Sequence, residues 1–173
     1  MISAHAAGEA PVFYLDDLHV GQRFTSSSYT LDEAQIKRFA AEFDPQPFHL
    51  DDRAAKGTLF GGLAASGWHT AALTMRLLVQ GGLPIAGGII GLGGELSWLK
   101  PTRPGDTLDV VSEIVEITPS RSQPNRGTVR VRSETRNQYG DVVQRFTARL
   151  LVPRRTGSGS SSSTDARPAQ SAE

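Results

Sequence analysis

Apolar residues along this chain change their period once, near the middle. Leu31, Ala34, Ile36, Phe39, Ala40 and Phe43 recur at helical spacing behind Thr30-Leu31-Asp32-Glu33, which has the form of a capping box. A helix is therefore predicted over residues 31–42. From Ser66 to Val79 the chain holds Trp68, Ala71, Ala72, Leu73, Met75, Leu77, Leu78 and Val79, with His69, Thr70, Thr74 and Arg76 as its polar breaks. A helix that is apolar nearly all round belongs inside the molecule. Gly81-Gly82 and Pro84 stop it. Beyond them the period becomes two. Val129, Val131, Ser133 and Thr135 alternate with Arg130, Arg132, Glu134 and Arg136, and Val142, Phe146, Ala148, Leu150 and Val152 share one parity with Gln144 as the exception. Two half-buried antiparallel strands joined by a hairpin at Tyr139-Gly140 are predicted.

Residues 95–100 and 107–118 also read as strands, although the doublets Val110-Val111 and Ile114-Val115 spoil the alternation of the second. With a strand at 23–29, the order is strand, helix, loop, buried helix, then four strands. The economical solution is an α+β domain in which one antiparallel sheet wraps a central helix. The glycines between Gly81 and Gly94 fit neither G-x-G-x-x-G nor a Walker loop and read as a flexible loop entering a strand. Residues 51–56 suit one short helical turn begun by Asp52, and 57–62 a loop.

Chemistry concentrates between the two helices. Asp44-Pro45-Gln46-Pro47-Phe48-His49 carries two prolines, each of which fixes its own φ and disfavours helix in the residue before it. A rigid, non-helical turn is predicted, able to aim a carboxylate and an imidazole at one small volume. The ordinary alternatives are a helix-terminating aspartate and a loop-bracing histidine. Gly67 opens the second helix, where an unpaired backbone N–H sits at the positive end of the helix dipole and a glycine permits close approach. The plain reading there is an ordinary glycine with Ser66 as N-cap.

Composition narrows the picture. Among 173 residues, 38% are hydrophobic and 21% charged, which suits one globular domain with a real core. Lys+Arg and Asp+Glu balance at 18 each, which argues against a dedicated nucleic-acid surface. With no cysteine, disulfides, thiolate metal sites and a cysteine nucleophile are excluded. No signal peptide or membrane-spanning run is visible, and a cytoplasmic location is expected. Residues 1–12 are expected to be a flexible lead, 13–155 the single domain and 156–173 a flexible tail of Ser, Gly, Ala and Pro. His69 is expected to be a hydrogen-bonded core histidine. Asp51 and Asp52 beside His49 do not make a metal site, because adjacent residues rarely converge on one ion.

Three linked motifs resemble a known family. Asp44–His49 is similar to the Asp-x-Asn-Pro-x-His motif of the MaoC-like dehydratases, hot-dog proteins that include the R-specific enoyl-CoA hydratases. Ser66-Gly67 stands at the place of that family's His-Gly pair, and Pro101-Thr102-Arg103-Pro104-Gly105-Asp106 is similar to its Pro-x-x-Pro-Gly-Asp turn. Gln46 replaces the usual Asn, and Ser66 the usual His. The resemblance implies a hot-dog fold and reversible hydration of a trans-2-enoyl-CoA to an (R)-3-hydroxyacyl-CoA. Asp44 and His49 would be the catalytic pair, with Gly67 and Ser66 at the oxyanion and substrate site. It implies no metal and no cofactor beyond the coenzyme A of the substrate. Lys100, Arg103 and Arg121 could meet its phosphates, although solvated surface charge is their plainer reading. An acyl-CoA thioesterase and a non-catalytic acyl-CoA-binding subunit are the competing functions. A homodimer with its active site near the interface is expected, against a monomer whose sheet edges are covered by residues 13–18.

Overall fold

The computed structural model describes residues 11–155; the expected tail, and all but the last two residues of the expected lead, lie outside the described residues. Strands β1 (Arg23–Thr25), β2 (Tyr29–Thr30), β3 (Ile90–Trp98), β4 (Thr107–Pro119), β5 (Arg126–Arg136) and β6 (Val142–Pro153) form one antiparallel sheet. Its order is β1-β4-β5-β6-β3, with β2 also paired to β4. Helices α1 (Glu33–Phe43), α2 (Pro47–Leu50), α3 (Asp52–Lys56) and α4 (Gly67–Leu77) all fall between β2 and β3. Leu73, Leu77 and Leu78 of the α4 region pack into one core with Leu108, Val110, Val129, Val131 and Leu150 of the sheet, which gives the expected sheet around a helix. No helix among the described residues is long and apolar enough to cross a membrane.

Local chemistry explains where the elements depart from the sequence pattern. The cap of α1 is Asp32, not Thr30: its Oδ1 accepts from Gln35 N at 2.7 Å, and Gln35 Oε1 accepts from Asp32 N at 2.9 Å. Thr30 is unavailable because its hydroxyl pairs with that of Thr107 across β2 and β4. The expected strand 23–29 splits into β1 and β2 around Ser26, whose Oγ accepts from Val110 N at 2.9 Å. The glycine run does enter a strand through a loop, with Gly87 and Gly88 in that loop at positive φ, but the strand begins earlier than expected, at Ile90. Gly91 and Gly94 lie in β3 around a bulge, where a Cβ on Gly94 would sit 2.5 Å from Thr147 O. In β4 the alternation is clean: Leu108, Val110, Ser112 and Ile114 point inward, while Val111 and Val115 face outward. Ser112 keeps the parity by bonding Ser133 Oγ at 2.9 Å.

The largest correction concerns α4. It is buried on one side only. Trp68, Ala72, Met75 and Val79 form an apolar stripe open to solvent, and Ile90, Leu92 and Trp98 of β3 are exposed too. The inward side is unexpectedly polar. Thr74 Oγ1 lies 2.6 Å from Thr135 Oγ1 and accepts from Gln144 Nε2 at 2.9 Å. Gln144, the apparent exception in β6, is fully buried because Thr74 accepts from its amide nitrogen and Trp98 Nε1 donates to its amide oxygen.

Candidate active site

Asp44 ends α1. Its backbone N–H caps Ala40 O at 2.9 Å, and its φ of −152° turns the chain out of the helix. The two prolines then act differently from expectation. Gln46 is extended, as the residue before a proline should be, but Pro47 sits at the first position of α2, where a missing N–H costs nothing. The stretch 44–49 is thus a turn followed by one helical turn, and that helical turn carries His49 inward.

His49 is 4% exposed, and its Nδ1 lies 2.7 Å from Ala64 O. A carbonyl only accepts, so Nδ1 bears the proton and a neutral ring presents a bare Nε2. Nε2 faces Asp44 Oδ2 at 3.5 Å. Phe48 and Phe60 pack around the ring, with centroids 4.6 and 5.6 Å away.

The carboxylate of Asp44 is held on both oxygens. Gln46 Nε2 donates to Oδ1 at 2.7 Å, so the longer amide at this position reaches back to brace the acid. Ser66 Oγ donates to Oδ2 at 2.6 Å and accepts from Trp68 N at 3.2 Å, capping α4 while it holds the acid. Partial burial pushes the Asp44 pKa up, but the bonds from Ser66 and Gln46 and the nearby His49 outweigh it, leaving the pKa below the ordinary aspartate value. Ser66→Ala removes one of those donors, so the Asp44 pKa should rise. Activity that needs the carboxylate ionised should then be lost at a higher pH on the acidic side. A pH profile of kcat/KM checks this, and an unmoved acidic limb would show that Asp44 does not set it.

Gly67 begins α4, where no carbonyl lies a turn earlier to accept its N–H. Trp98 lies on it: the indole Nε1 donates to Gly67 O at 2.9 Å and to Gln144 Oε1 at 3.1 Å. Asp44, His49, Gly67, Phe60 and Trp98 line one cleft of ≈ 620 Å³. The four residues singled out in the sequence therefore come together.

His69 is buried as expected but not hydrogen-bonded as expected. Its ring stacks on Phe39 of α1 at 4.4 Å, and Nδ1 has no partner. Burial, with a smaller contribution from Arg38, lowers its pKa and favours the neutral ring. Among the described residues no three His, Asp or Glu side chains converge to hold a metal ion. Lys100 pairs with Asp141 at 2.6 Å, and Arg103 bonds backbone carbonyls of the loop before α4. Sequence reasoning missed Phe60 and Trp98, because an aromatic in a loop or at a strand end carries no periodic signal.

The chain as a whole is similar to known proteins. The model of the MaoC-like domain matches residues 17–137. The chain belongs to the MaoC-like domain family. A MaoC-like dehydratase structure from Rhodospirillum rubrum superposes with a TM-score of 0.82 at 61% identity, covering 83% of this chain and 99% of that one. An R-hydratase from Pseudomonas aeruginosa superposes with a TM-score of 0.65 at 30% identity, covering 82% and 86%. A 3-hydroxybutyryl-CoA dehydratase of Methylorubrum extorquens is 33% identical over 119 residues, 65% of this chain and 71% of the relative. The sheet wrapped on α4 is the hot-dog fold of these MaoC-like and R-hydratase structures.

Proposed function

We propose that this MaoC-like protein is an acyl-thioester hydro-lyase that reversibly adds water to a trans-2-enoyl-CoA, giving an (R)-3-hydroxyacyl-CoA. The observation that carries the reading is the Asp44–His49 pair. Two hydrogen-bond acceptors, Oδ2 and a bare Nε2, face each other at 3.5 Å inside a cleft. A water giving one hydrogen to each satisfies both and turns its lone pair outward. Attack of that oxygen on the β-carbon delivers one proton to the pair, and the pair returns one proton to the α-carbon, so it ends the cycle unchanged. The Gly67 N–H, backed by the dipole of α4, stabilises the thioester oxygen as it gains enolate character. This chemistry needs no metal or redox group, and coenzyme A enters as part of the substrate.

Support for the acyl chain comes from a second, mostly apolar cavity of ≈ 450 Å³, lined by residues such as Met75, Leu78, Leu83 and Phe146. Trp68 lines both cavities. The R configuration and the coenzyme A thioester follow the named R-hydratase and 3-hydroxybutyryl-CoA dehydratase relatives. Incubation with crotonyl-CoA tests the reading. Loss of enoyl absorbance without free thiol supports it, whereas thiol release indicates a thioesterase and overturns it.

The working unit in this reading is a homodimer. The stripe Trp68, Ala72, Met75 and Val79, with Trp98 of the edge strand β3 packed against Trp68, forms an uncovered face suited to a second copy. Residues 13–18 do not cover the β3 edge: Phe13 bonds Pro84 O and Ala86 N instead. Sedimentation at micromolar concentration should give a dimer, and Met75→Glu should shift it to monomer. A wild-type monomer that hydrates crotonyl-CoA would remove the dimer and leave the chemistry.

A further inference from the structure

The turn between β3 and β4 holds the third sequence motif, and the chemistry proposed above gives it no task. We propose that Arg103 of this turn is a positioning residue for the hydration reaction, acting through the loop that walls the cleft and holds His49; the assignment rests on the hydration reading.

Arg103 makes no ion pair among the described residues. Its guanidinium fork is used on backbone carbonyls. Nη1 donates to Gly62 O at 2.7 Å and to Leu63 O at 3.1 Å, and Nη2 donates to Phe60 O. Three carbonyls of one loop thus converge on a single cation, an arrangement that favours a planar fork over the point charge of a lysine. With both terminal nitrogens engaged, Arg103 is not placed to take a coenzyme A phosphate.

The base of the fork is fixed in turn. Arg103 N donates to Asp106 Oδ2 at 2.7 Å, and Asp106 Oδ1 accepts from Gln138 Nε2 at 3.2 Å. Asp106 O accepts from Leu31 N at 2.9 Å, which ties the turn to the start of α1. Gly105, at φ 86°, supplies the left-handed residue this turn requires.

What the fork holds is the floor of the site. Phe60 carries the ring beside His49 and Phe48, 4.9 Å from the latter. Leu63 precedes Ala64, whose carbonyl fixes the proton on His49 Nδ1. Leu63 N also donates to Asp52 Oδ1 at 3.0 Å, and Ala65 N donates to Thr102 O at 2.9 Å. Residues 60–65 are therefore clamped from α3 and from the 101–106 turn, and Arg103 is the one side chain that grips three of their carbonyls. Releasing it frees the Ala64 carbonyl and the Phe60 ring to drift, and a misplacement on the order of 1 Å costs about 10²-fold in rate.

The test compares Arg103→Ala and Arg103→Lys with wild type in kcat and KM on the best enoyl-CoA substrate. The nitrogen NMR signals of the His49 ring are followed in parallel, assigned by their loss in His49→Gln. Arg103→Ala should lower kcat by about 10²-fold with a smaller change in KM. Arg103→Lys should recover part of the loss, as should guanidinium ion added to the alanine variant. The His49 Nδ1–H should lose its protection from solvent exchange in step with kcat. Wild-type kcat and an unmoved His49 signal in Arg103→Ala overturn the assignment. Unfolding of both variants overturns it too, because Arg103 would then hold the core and not the wall. A wild-type protein inactive on every enoyl-CoA, with a His49 signal that still responds to Arg103→Ala, sinks the hydration reading and supports the hold of Arg103 on His49.

Discussion

Asp44→Asn is expected to lower turnover on enoyl-CoA by about 10²–10⁴-fold, the usual contribution of a positioned acid–base group. The amide keeps the size of the side chain but cannot hold the negative charge that draws a water proton. It also meets donors on both sides. Ser66 Oγ–H and Gln46 Nε2–H each point at a carboxylate oxygen, and the amide offers one oxygen and one NH₂, so one of the two charge-assisted bonds is lost to a neutral one in which the Ser66 hydroxyl or the Gln46 amide turns to accept. That loss should cost about 1 kcal/mol of stability, too little to unfold a domain of this size. Melting should therefore stay cooperative and move by only a few degrees, while kcat collapses. His49→Ala should lose activity similarly but melt lower, because it leaves the buried Ala64 carbonyl without its partner. Near-wild-type kcat in either folded variant refutes the acid–base assignment.

Gly67→Ala should damage both activity and stability, for a reason that lies in a neighbour. A Cβ at this position would stand 2.4 Å from Trp98 Cε2 and 2.8 Å from Trp98 Nε1. The indole would have to swing away, giving up its bonds to Gly67 O and Gln144 Oε1. Overpacking of this kind costs about 1–3 kcal/mol. With the indole displaced, the first turn of α4 loses its brace and the Gly67 N–H its aim, and loss of one oxyanion donor is worth about 10²–10³ in kcat. Tryptophan emission should shift, since Trp98 moves and packs edge-on against Trp68 at 5.3 Å. Combining Gly67→Ala with Trp98→Ala should give back stability, a non-additivity expected of residues in contact. An alanine variant with unchanged melting, emission and kcat would show that neither the indole contact nor the donor matters.

The exposed stripe on α4 shows how a correct sequence pattern leads to a partly wrong expectation. Apolarity all round does call for burial, but the single chain buries only Leu73, Leu77 and their inward neighbours. The remainder of the requirement falls on a second copy in the proposed dimer. Periodicity measures how much surface seeks cover, and it does not say whose surface provides it.

From the chain alone, the α+β class, the two long helices and the β5–β6 hairpin were legible, because each rests on spacing or on local backbone chemistry, while the gathering of Asp44, His49, Ser66 and Gly67 was implied by the family resemblance of their motifs. Only the tertiary structure decided the rest. It made Asp32 and not Thr30 the cap, because Thr107 claims Thr30 across the sheet. It started β3 inside the glycine run, at Ile90, and at Gly94 the close approach of β6 leaves no room for a side chain. It placed Gln144 inside, since Thr74 and Trp98 from other elements satisfy its amide. It gave Ser66 its bond to Asp44, and Arg103 its grip on the 60–63 carbonyls, across 22 and about 40 residues of chain. Local propensity is a property of near neighbours, whereas the partner of a buried polar group comes from wherever the fold brings one within hydrogen-bond reach.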